Sequence, residues 1–214
     1  MKLEIPKKIH RKQWLRRMGV RGEGDERLAA AMDKWEPVLL GEIRPQGIYR
    51  ILDLDALELE GRAIQKHLKG CREMAVMGVT LGAGTDRLIR INQVRDMADA
   101  VILDCGASVL TEQICDQAEE QIRRETDGFL TGRYSPGYGD LPVKTQEQLV
   151  RILDSARKIG LTVNSSHIMI PRKSVTAILG IADHPVKGYL ASCSECTLKD
   201  TCILRKEGKN CAEF

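Results

Sequence analysis

Between residues 132 and 142 the chain reads Gly132-Arg133-Tyr134-Ser135-Pro136-Gly137-Tyr138-Gly139-Asp140-Leu141-Pro142, and no helix can run through it. Pro136 has no amide proton and biases Ser135 towards extended geometry. Gly137 and Gly139 permit backbone angles, or a close approach, that a Cβ would forbid. The stretch predicts an ordered turn whose N–H and C=O groups face outward, free to bind. Arg133 adds a planar fork suited to a carboxylate or phosphate. Tyr138 adds an aromatic face with a hydroxyl. The plain alternative is a tight loop between strand and helix, with Arg133 solvated.

The flanks predict elements around this turn. Residues 129–134 read as the strand that delivers it. Residues 145–159 read as one amphipathic helix, with Leu149, Ile152, Leu153 and Ala156 inward and Gly160 as its stop. Residues 161–163, 166–170 and 174–181 read as closely spaced strands, and short neighbours favour antiparallel pairing. Upstream, residues 86–126 are mostly helical, with Gly106 marking a break, a bend or a close helix contact. Residues 47–54 and 73–81 read as strands, residues 57–59 as a further strand or turn, and 63–68 as a short helix. The loop 82–86 invites comparison with phosphate-binding loops. It lacks Gly-Lys-Ser/Thr and a complete G-x-G-x-x-G, so Thr85 reads as a helix cap instead. Two helices fill residues 9–41, the second capped by Asp25. The basic cluster Lys7, Lys8, Arg11, Lys12, Arg16, Arg17 and Arg21 is a solvated face or a docking surface for an acidic partner. His167 and His184 stand alone and read as structural.

The order Arg133-x-x-Pro136-Gly137-Tyr138, followed by Ser166, Met169, Pro171, Ser174 and Val175, resembles the activation domain of vitamin B12-dependent methionine synthase. Leu110-Thr111-Glu112 is similar to the start of a helix that brings a glutamate to the ligand in that family. The resemblance spans roughly residues 70–186. It implies an α+β fold with an antiparallel twisted sheet flanked by helices, in agreement with the mixed pattern of elements. It also implies a site for S-adenosylmethionine. Arg133 would pair the methionine carboxylate, the backbone at Ser135 and Gly137 would meet the adenosine, and Tyr138 would lie near the methyl group. Glu112 would take the α-amino group or a site water. The cobalamin would be carried by a partner, a methionine synthase or other corrinoid protein, with an electron from a flavodoxin- or ferredoxin-like donor. No catalytic residue of this chain is expected, because such a protein acts by proximity. One departure concerns residues 177–184, where fused relatives often carry a ligand-facing tyrosine and this chain has no aromatic residue.

Three regions follow: a helical segment 1–45, an activation-like domain 46–190, and a cysteine-rich tail 191–214. In the tail, Cys193, Cys196, Cys202 and Cys211 suit a zinc site, an iron–sulfur cluster or a reducible dithiol. Cys71, Cys105 and Cys115 fall in apolar segments and read as core thiols. With no apolar leader and no membrane-length apolar run, the seven cysteines of the chain point to a reducing, cytoplasmic setting. A net charge of +3 and 4% aromatic residues argue against nucleic acid as partner. Two functions stand against each other. One is an S-adenosylmethionine-binding factor that supports reductive methylation of cobalamin. The other is a metal- or cluster-bearing adaptor that docks a corrinoid protein and passes electrons. An ordinary S-adenosylmethionine methyltransferase fits poorly, since its glycine-rich strand–loop–helix is not found.

Overall fold

The computed structural model describes residues 1–20, 22–186, 188, 200 and 201. Four strands form one antiparallel sheet in the order β1-β2-β6-β3: β1 (Gln46–Asp53), β2 (Glu73–Thr80), β6 (Ser174–Ala182) and β3 (Phe129–Leu130). β2 and β6 are central, and both are buried almost end to end. That is why they read as near-continuous apolar runs rather than alternating ones.

The two-residue period of a strand sorts the core into two halves. Ala75, Met77 and Val79 of β2, with Ala177, Leu179 and Ile181 of β6, join a cluster built by α1 (Arg11–Arg17), α2 (Glu26–Glu42), α4 (Ala83–Arg95) and α5 (Met97–Glu125). Met74, Val76 and Ile178 face the other way, towards α3 (Arg62–His67) and α6 (Thr145–Leu153). The α+β architecture expected from sequence is present. The helical N-terminal segment shares the larger core, where Trp14, Met32, Leu39 and Ile43 are buried.

Several expected boundaries shift. The helical run 86–126 breaks at Asp96, whose carboxylate accepts from Ala98 and Asp99 N–H at 2.8 and 3.2 Å and so caps α5. Gly106 lies inside α5 as a close contact, with the Trp14 ring where a Cβ would project. Gly82, not Thr85, caps α4; Thr85 is buried within the helix. The helix expected over 145–159 stops at Asp154, which adopts φ 52°, and resumes as α7 (Ser155–Ile159), with left-handed Gly160 ending it as expected. β4 (Thr162–Val163) and β5 (Met169–Ile170) pair only with each other. β6 instead enters the sheet centre, because it is apolar on both faces. Residues 57–59 form no strand.

Candidate functional site

The turn at 132–142 hangs from the sheet edge by an irregularity that aims Arg133. Leu130 pairs with Ile181, and Tyr134 bridges Ile178. Three residues, 131–133, therefore oppose two, 179–180: a β-bulge. Thr131 makes it possible, because its hydroxyl accepts the Gly180 N–H at 2.7 Å in place of a backbone carbonyl. Residues four apart on a regular strand share a face. Here Leu130 packs in the core half under α5, while Tyr134 packs in the opposite half. With Tyr134 turned away from α5, its neighbour Arg133 reaches back to that helix.

On α5 it meets three carboxylates. Arg133 Nη1 donates to Glu119 at 2.9 Å, and Nη2 donates to Asp116 at 2.8 Å and Glu112 at 3.3 Å. Its side chain is only 20% exposed. Burial acts to lower its pKa, but Cys115 and the surrounding acids outweigh that and raise it. Arg133 is thus not the solvated residue of the plain alternative. Below it, burial pushes the Cys115 thiol up to about 12, against the pull of Arg133, so it is an inert core group. Arg133 and Glu112, named separately from the sequence, meet here, while Asp116 and Glu119 were not among the candidate residues. The signal was present in the spacing: residues 112, 116 and 119 recur on one helical face.

The loop is clamped at both ends by α3. At the start, His67 Nε2 donates to the Gly132 carbonyl at 2.9 Å and lies 2.8 Å from Thr131 Oγ1. The His67 ring also tilts against Tyr134, with centroids 5.0 Å apart. At the far end, Asp140 accepts from Arg62 and Ala63 N–H at 2.7 and 3.0 Å. These amides, the Ala63 bond foremost, draw the Asp140 pKa down.

Between the clamps, Ser135-Pro136-Gly137-Tyr138 closes a turn through Tyr138 N–H to the Ser135 carbonyl at 3.2 Å. Pro136 in its second place and Gly137 at φ 93° in its third are the signature of a type II turn. Gly137 N–H donates to Leu141 and Leu141 N–H to Tyr138, while the Tyr134 hydroxyl donates to the Tyr138 carbonyl. The expectation of freely presented backbone groups is therefore corrected: three amides of the loop are spent inside it. What the loop does present is the Tyr138 side chain, 62% exposed. Exposed Val143 lies on the lead into α6, and exposed Ile168 on the β4–β5 turn. His167 of that turn lies 3.0 Å from Glu147 of α6.

Residues 177–182 of β6 are all buried. Gly180 is packed so closely that a Cβ would strike the Cys71 sulfur at 2.3 Å. Of the stretch 177–184 that lacks an aromatic residue, residues 177–182 thus belong to the core, while Asp183 and His184 are exposed. Cys193, Cys196, Cys202 and Cys211 lie outside the described residues. Among the described residues no group of His, Cys, Asp or Glu is placed to hold a metal ion. No described helix is long and apolar enough to cross a membrane.

An antiparallel sheet between two helical layers, with a clamped turn delivering an arginine to an acidic helix face, defines the class of domain. No protein-family model matches the chain, and no curated protein does. Among solved structures, it is similar to the crystal structure of the MetH reactivation domain bound to AdoHcy, with a TM-score of 0.58 and 15% identity, covering 98% of this chain and 90% of that one. The chain has the fold of that reactivation domain.

Proposed function

We propose that this protein binds S-adenosylmethionine at the Arg133–Tyr138 turn and serves a cobalamin-dependent methionine synthase as a reactivation factor. The observation that carries the reading is the charge arrangement at Arg133. A guanidinium set beside Glu112, Asp116 and Glu119 suits an amino-acid moiety, which carries a carboxylate and an ammonium, together with a neighbouring sulfonium. Three further supports agree: the loop sequence, the shared fold, and the AdoHcy held by the structural neighbour. When bound, S-adenosylmethionine supplies an electrophilic methyl group. This chain's own residues orient it. Arg133 pairs the carboxylate, Glu112 receives the α-amino group, and the backbone at Ser135 and Gly137 flanks the adenosine. Tyr138, with exposed Val143 beside Gly137, offers an apolar rim against which a corrinoid partner closes. The electron donor would be flavodoxin- or ferredoxin-like.

Calorimetric titration of the purified protein with S-adenosylmethionine tests the reading. Saturable 1:1 binding is expected, and Arg133→Ala should weaken it by about 2–5 kcal/mol, as for truncating one partner of a buried charge pair. Wild-type affinity in that variant would remove Arg133 from the site. The adaptor reading, with metal on Cys193, Cys196, Cys202 and Cys211, gains if no S-adenosylmethionine binds and the tail carries metal.

A further inference from the structure

The N-terminal helix is registered to the helix that bears the site's acids. Trp14 of α1 lies so close to α5 that a Cβ on Gly106 would sit 2.7 Å from its ring, and its indole N–H donates to the Ile102 carbonyl at 2.8 Å. Ahead of α1, three glutamines spaced one turn apart on α5 grip the backbone of residues 2–10. Gln121 accepts from Lys2 N–H at 3.1 Å. Gln117 bonds both the N–H and the carbonyl of Glu4 at 2.9 Å. Gln113 donates to the Lys8 carbonyl at 3.1 Å and accepts from His10 N–H at 3.2 Å. These bonds go to backbone, so they fix the path of the arm whatever its side chains.

One turn beyond Trp14, this path brings Arg17 to Glu112. The Glu112 carboxylate then stands between two guanidinium groups. Arg17 Nη2 is 3.8 Å from Oε1, and Arg133 Nη2 is 3.3 Å from Oε2. Arg133 is further held by Asp116 and Glu119 at 2.8 and 2.9 Å. Arg17 is 40% exposed, and its ion pair is longer than a hydrogen bond. Among the described residues at this site, Arg17 is the cation with donors to spare.

We infer that Arg17 and Arg133 form a pincer for the carboxylate of the amino-acid ligand, and that Glu112 fills that slot in the free protein. The inference rests on the S-adenosylmethionine reading above and deepens it. A ligand carboxylate entering the slot replaces one anion by another, so neither guanidinium is left uncompensated. Glu112, 45% exposed, swings out to meet the ligand ammonium. Arg133 keeps Asp116 and Glu119, which hold it in place. The N-terminal helix thereby becomes part of the binding site rather than an appendage.

The test compares two ligands on the full chain by calorimetry. S-adenosylhomocysteine has the amino-acid moiety; 5′-methylthioadenosine keeps the adenosine and sulfur but lacks carboxylate and ammonium. Arg17→Ala should weaken S-adenosylhomocysteine about tenfold or more, the scale of a charge-assisted contact. It should leave 5′-methylthioadenosine affinity and the melting temperature unchanged. Arg17→Lys, which keeps the charge and loses the fork, should recover part of the loss. Equal affinity of Arg17→Ala and wild type for S-adenosylhomocysteine overturns the pincer. So does an equal loss for both ligands, which marks a structural effect. Wild-type protein that binds neither S-adenosylmethionine nor S-adenosylhomocysteine overturns the binding reading itself, and the pincer with it.

Discussion

His67 shows how one buried side chain ties loop, fold and pH together. It is 2% exposed, and burial lowers its pKa, with the bond to the Gly132 carbonyl only partly opposing. Its folded value therefore lies below the unfolded value of about 6.5. As pH falls through that value the unfolded chain takes up a proton first. Stability is full above it and drops as pH approaches the depressed folded value. Denaturant midpoints measured from about pH 8 down to about pH 5 should fall, and His67→Gln should flatten the slope while lowering the plateau. An identical slope in the variant would assign the acid sensitivity elsewhere. At this scale the sequence made Arg133 and Tyr138 legible, because a Gly/Pro turn with one guanidinium and an aromatic ring is a local pattern. Asp116 and Glu119 were less legible, since a carboxylate on an amphipathic helix looks the same whether it faces water or an arginine from another element. His67 was illegible as a clamp, because its partners are more than sixty residues away.

Among the elements, α5 carries most of the site, and its contact with α1 can be probed at Gly106. A Cβ there would lie 2.7–2.9 Å from Trp14 and Leu39. Ala gains about 1 kcal/mol over Gly in a helix interior. Overpacking a filled core costs about 1–3 kcal/mol. The clash should win, and Gly106→Ala should destabilise the protein by up to about 2 kcal/mol in chemical denaturation. A variant as stable as wild type would mean that the Trp14 contact is loose. The sequence named a close contact as one meaning of Gly106 but could not choose it, since the partner ring comes from residue 14. The helix boundary at Asp96 was masked for another reason. Apolar residues continue at helical spacing across it, and periodicity outweighed a local cap. The bulge at 131–133 lies beyond any periodicity argument, because it depends on a threonine hydroxyl reaching Gly180 across the sheet edge.

For the whole molecule, the antiparallel sheet between helical layers was readable in outline. The central place of β6 was less so, since short neighbouring strands suggest local pairing and only the finished core shows both faces covered. The tail adds a proposal of its own, that Cys193, Cys196, Cys202 and Cys211 share one metal centre. Anaerobic purification and elemental analysis should find stoichiometric metal. Colourless protein means zinc, and brown protein that bleaches on reduction means an iron–sulfur cluster. Metal-free protein with all four thiols freely alkylated would contradict both. The central claim, that the clamped turn holds an S-adenosyl ligand, is met most directly by a crystal structure of this protein with S-adenosylhomocysteine. The account predicts ligand density along residues 133–138, its carboxylate on Arg133 and its amino group towards Glu112. Density at another place on the molecule, or a turn left empty at saturating ligand, would contradict it.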